Sequence, residues 1–173
     1  MYHKFLSLFC AAILSPAFAS EVSGLPDAWI GTHYGTCYGS VEEGMSDSYG
    51  PDYDTDDNIG TKHLTYGADE MVVSVDRTSG TNAPRTIFEK RAGGKWCVVL
   101  TSPPVASLAP IIQDGIDSKP LQWVTLTQAA PGYSETKIVY TWNKQEFIYF
   151  PSHCYHLGRQ GVKEFDCKNA YKE

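Results

Sequence analysis

The sequence predicts an all-β fold: a single small antiparallel barrel or sandwich of about eight strands, disulfide-stapled, with at most one short helix. Three observations predict it. Short runs of β-branched and aromatic residues recur along the chain, as in Val72-Val73, Val98-Val99, Trp123-Val124 and Ile138-Val139, and such residues suit a pleated, half-buried backbone. Turn-forming residues punctuate them at short intervals, most clearly at Ala92-Gly93-Gly94, where paired glycines supply positive φ at little cost. The cysteines form an even set once a leader segment is set aside.

That leader is residues 1–19. Lys4 supplies a positive charge, residues 5–14 are apolar or small, Pro16 breaks the run, and Ala17-Phe18-Ala19 offers a small-x-small cleavage site. Ten such residues are too few to span a bilayer, which takes about 20. Cys10 follows Leu8-Phe9 rather than the small residue of a lipoprotein site. A cleavable signal peptide is therefore expected, followed by one β-rich domain over residues 20–173, exported to a periplasmic or extracellular space. Cleavage removes Cys10 and leaves Cys37, Cys97, Cys154 and Cys167, which in an oxidising compartment implies two disulfides. Three pairings exist. Cys154–Cys167 with Cys37–Cys97 is favoured, because the first pair is close in sequence and the C-terminal segment otherwise lacks an anchor. On a chain-entropy basis these loops contribute about 3 and 4 kcal/mol respectively.

The strands follow in order. Residues 28–38 alternate, with Ile30, Thr32, Tyr34, Thr36 and Tyr38 on one face, so a first strand is expected there. The segment contains Gly-Thr-x-Tyr-Gly twice, sharing Gly35, and its aromatic stripe makes Tyr34 and Tyr38 candidate binding residues. The structural alternative is a first strand that glycine lets bend, with the tyrosines covering the core edge. Trp29 close to Gly31 and Tyr34 is similar to the opening strand of calycin-type barrels, which carry Gly-x-Trp; here the order is Trp29-Ile30-Gly31, and no function is carried across. Residues 62–66 and 71–75 flank a turn at Gly67-Ala68-Asp69-Glu70, and residues 86–91 and 95–101 flank the glycine turn. A further strand is expected at 121–127, a hairpin at 137–142 and 146–150 around Asn143-Lys144-Gln145, and a short last strand at 153–157. The one expected helix is 107–114, with a serine cap, Pro110 in the first turn and Gly115 as the stop. Two long loops remain, 39–60 and 102–120. Loops longer than about 12–15 residues in a compact domain are functional or disordered.

Without the leader the chain has 13 basic and 20 acidic residues, a net charge of −7. Residues 41–60 hold seven acids and no base, so that one segment accounts for the whole imbalance. A basic footprint is missing, which argues against nucleic acid and against an anionic membrane surface. Asp52, Asp54 and Asp56 alternate like the opening of a calcium loop, since a hard cation takes oxygen ligands. The sixth position is Asp57 instead of glycine and the twelfth is His63 instead of glutamate, so a solvated loop competes with the calcium reading. Asp57 is also a candidate binding residue. His153-Cys154-Tyr155-His156 invites a zinc site, but Cys154 is expected to be oxidised, and in a strand residues 153 and 156 face opposite sides.

No Gly-x-Ser-x-Gly elbow is present, and Glu135, Glu146 and Glu164 have no motif that nominates them as a catalytic pair. No catalytic residue or cofactor is assigned, calcium being the only candidate ion. The expected function is an exported binding protein, of inhibitor or immunity type, meeting a basic protein partner through its acidic loop. A metal- or carboxylate-dependent hydrolase and a structural envelope component are the alternatives.

Overall fold

In the computed structural model, residues 33–49, 58–112, 118–129 and 133–170 are described. Outside them lie the leader 1–19, the beginning of the expected first strand (28–32), and the acidic positions Asp52, Asp54, Asp56 and Asp57. The described chain is mostly strand. It runs β1 (Cys37–Tyr38), α1 (Val41–Tyr49), β2 (Ile59–Tyr66), β3 (Asp69–Asp76), β4 (Arg85–Lys90) and β5 (Trp96–Thr101), then β6 (Ser107–Ile111), β7 (Gln122–Leu126), β8 (Glu135–Asn143), β9 (Ile148–Gly158) and β10 (Gly161–Phe165). Two five-stranded antiparallel sheets result, ordered β1-β5-β4-β3-β2 and β10-β9-β8-β7-β6, in a sandwich-like arrangement. The second sheet follows chain order from β6 to β10, and in the first β2 to β5 follow one another while β1 pairs with β5.

Met71, Ile87, Val99 and Leu100 of the first sheet pack with Trp123, Ile138, Tyr140, Tyr149 and Cys154 of the second. A second cluster lies on the first sheet's other face, where Val72, Phe88 and Val98 meet Tyr38, Val41 and Met45. The helix is thus a third, partial layer. It starts with a reciprocal cap: the Glu43 N–H donates to Ser40 Oγ (3.1 Å) while Glu43 Oε2 accepts from the Gly39 N–H (2.7 Å). Gly44 lets the helix lie close, since a Cβ there would sit 2.6 Å from Phe88 Cε1 and 2.8 Å from Tyr38 Cδ2.

The expected turns at Gly67 and at Gly93-Gly94 form with positive φ at all three glycines. Both favoured disulfides are present. Cys37–Cys97 joins registered partners on β1 and β5, and Cys154–Cys167 ties β9 to a 3₁₀ turn, Cys167–Asn169.

Four expectations need correction. Residues 33–36 form a turn instead of a strand, with His33 at φ 58°, Gly35 at φ 76°, and the Thr36 N–H donating to the His33 carbonyl (3.0 Å). Glycine there serves chain reversal, so the aromatic stripe never forms. The loop 39–60 contains α1. The expected helix 107–114 is instead, over its described part, the edge strand β6, paired from Ser107↔Leu126 to Ile111↔Gln122; Pro110 fits because an edge tolerates a missing donor. The strands expected at 146–150 and 153–157 are one long strand, β9, which then hairpins into β10.

Candidate functional site

The helix divides its side chains by burial. Val41 and Met45 enter the core, whereas Glu42, Glu43 and Asp47 are exposed. Asp47 Oδ2 accepts from the Tyr38 hydroxyl (2.7 Å) and lies 3.1 Å from His33 Nδ1. Tyr38 is itself buried, and burial, with the hydrogen bond to Asp47 and its carboxylate charge behind it, pushes its phenol up to about 12. Tyr34 is partly buried against the inter-sheet core. Its hydroxyl donates to the Thr101 carbonyl (3.0 Å) and accepts from the Thr101 N–H (2.9 Å), and burial raises its pKa. Tyr34 thus ties the turn before β1 to β5, and Tyr38 ties β1 to α1.

The acidic segment after α1 leads straight into β2. Ile59 to His63, the second half of the calcium-loop window, are paired with Asp76 to Val72. The twelfth position is thus part of a strand. Among the described residues no group of three or more His, Cys, Asp or Glu side chains is close enough to hold a metal ion.

The histidines of β9 take opposite faces. His153 Nδ1 lies 3.1 Å from Glu164 Oε1 and its ring stacks with Tyr155, whereas His156 stacks on Phe165, ring centroids 4.1 Å apart and planes 13° from parallel. Cys154 between them is oxidised and fully buried.

Register places more chemistry here than the histidines alone. Ile138, Cys154 and Phe165 are cross-strand partners on β8, β9 and β10, and since Cys154 belongs to the inter-sheet core, their face is the one turned to the first sheet. Two residues further along each strand, the same face carries Thr136, His156 and Lys163. Two further still come Gly158 and Gly161, with Ser134 packed over Gly158. The inner face so passes from an apolar rung to a polar, basic rung and then to a glycine rung. A groove of about 670 Å³ opens over the last two, with Arg159 and Tyr133 completing its wall.

At another edge of the molecule, buried Glu89 is held by Lys119, whose ammonium also lies 3.6 Å from the Trp142 ring centroid, and by Arg91 at 3.5 Å. That carboxylate has its counter-charges, so the cluster reads as a structural clasp between β4 and the segment before β7.

No known family, curated protein or solved structure matches this chain.

Reading the sequence missed both α1 and the groove. The first had a visible sign in Ser40-Val41-Glu42-Glu43, a capping-box spacing. The second had Gly158-Arg159-Gln160-Gly161, a two-residue turn between glycines that marks a hairpin.

Proposed function

We propose that the protein is an exported binding protein that engages a basic protein partner through α1 and the acidic segment after it. The supporting observation is the sidedness of α1. Its apolar residues are spent on Phe88 and Val98, so Glu42, Glu43 and Asp47 stand outward at the head of a stretch with seven acids and no base. A like-signed surface on a rigid support steers an oppositely charged partner and raises its association rate. Two disulfides suit an oxidising compartment, and among the described residues no helix is long and apolar enough to cross a membrane.

The test measures association with a lysine-rich peptide, with a glutamate-rich peptide as control. Changing Glu42 and Glu43 to Gln, and Asp47, Asp52, Asp54, Asp56 and Asp57 to Asn, should slow association about tenfold at low salt and flatten its salt dependence. Equal rates for the neutralised and native proteins, or equal binding of both peptides, would sink the reading.

A further inference from the structure

The groove on the second sheet has the opposite chemistry to α1. We propose that it binds a saccharide bearing an anionic substituent, a carboxylate or a sulfate. Arg159 and Lys163 border it and, among the described residues, no carboxylate does. Glu135 and Glu164, the acids nearest in sequence, alternate to the other face of the sheet, where Glu164 meets His153. Among the described residues neither Arg159 nor Lys163 forms an ion pair. Two cations on one groove, neither in an ion pair among the described residues, suit an oxyanion, which charge-assisted hydrogen bonds hold most strongly.

The rest of the lining suits a sugar ring. Thr136 and Ser134 supply hydroxyls and Gln160 an amide, groups that exchange hydrogen bonds with ring hydroxyls. Tyr133, 79% exposed at the rim, offers a flat face, and the His156 ring is fixed by its stacking on Phe165. Ser134 packs over Gly158, whereas at Gly161 nothing lies within 4 Å of where a Cβ would stand, so the floor there is open backbone. A peptide bound by strand addition would need the free edge of β10, whereas this groove is set on the sheet face across three strands. The volume falls in the range of small-molecule sites, about 300–1,000 Å³. The acidic face plays no part in this site, so either proposal can fail without the other.

The experiment uses the oxidised full chain, titrated separately with a sulfated disaccharide, a trigalacturonate, maltotriose as neutral control and inorganic sulfate. Calorimetry reads affinity, and backbone amide shifts locate the site. At least one anionic saccharide should bind with a dissociation constant at or below about 1 mM, with shifts concentrated at residues 133–136 and 156–163. Whichever of the two binds names the substituent. The double variant Arg159→Gln, Lys163→Gln should bind it at least about tenfold more weakly with the melting temperature unchanged, since both side chains are exposed. Four results would each overturn the proposal: no anionic saccharide shifting the groove, maltotriose binding as well, inorganic sulfate binding as tightly as the saccharides, or the double variant binding like the native protein.

Discussion

Among the described residues, the first sheet is covered on one face by the second sheet and on the other by α1, whereas the second sheet has one covered face and leaves Val162 and Glu164 of β10 in solvent. Their strands differ accordingly. In β5, Cys97, Val98, Val99 and Leu100 are all buried in succession, while β7 alternates, with Trp123 and Thr125 buried between half-buried neighbours. Two covered faces accept an unbroken apolar run; one covered face demands period two. Charge divides the same way. Residues 20–101 carry the whole net −7, and residues 102–173 balance seven bases against seven acids. The lesson is that the two charged surfaces sit at different places on the stack. The layer over the outer face of the first sheet is the acidic one, whereas the basic groove lies on the inner face of the second sheet, past the apolar rung at Cys154.

The largest expected effect comes from removing the contact on which double cover depends. Phe88→Ala deletes a fully buried ring between α1 and the sheet and should cost about 3–5 kcal/mol, with loss of helical circular dichroism before global unfolding. Val162→Ala on the uncovered face should stay within about 0.5 kcal/mol. A small loss for Phe88→Ala would mean that α1 merely decorates the sheet.

Next come the two disulfides, one in each sheet. Their cysteines are 60 and 13 residues apart in sequence, so the chain-entropy model ranks them at about 4 and 3 kcal/mol. Replacing each pair by serine and measuring denaturant unfolding tests that order. A reversed order would show that native packing around Cys154, and not loop closure, sets the difference.

The smallest effect is a pH dependence at the α1 interface. The fold holds the Tyr38 phenol protonated, lifting its pKa from 10 to about 12. A raised folded value means that this contribution is complete below the unfolded pKa, and it disappears as pH climbs from about 10 to about 12. Melting temperature should fall across that window, and fall less steeply in Tyr38→Phe. Identical slopes would show that folding does not raise the Tyr38 pKa.

The strands at 62–66, 71–75 and 95–101 were readable because each pairs across a short turn, so pattern and partner are local. The helix was not. Residues 41–49 hold few apolar side chains, chiefly Val41 and Met45 four apart, too little for the periodicity to stand out among the acids; Phe88 and Tyr38, distant or outside the window, complete its burial. Ser107–Ile111 erred the other way. A serine before a proline imitates a helix start, and the pairing with β7, invisible to a local window, made it a strand.

The amino-acid order alone determined the β class, the glycine turns and the even cysteine set, because each follows from backbone preference or covalent chemistry over a few residues. Which sheet received a second cover, and where Thr136, His156 and Lys163 lined up, were decided only in three dimensions. Those outcomes depend on register between strands, and one residue of slip would turn every one of these side chains to the other face.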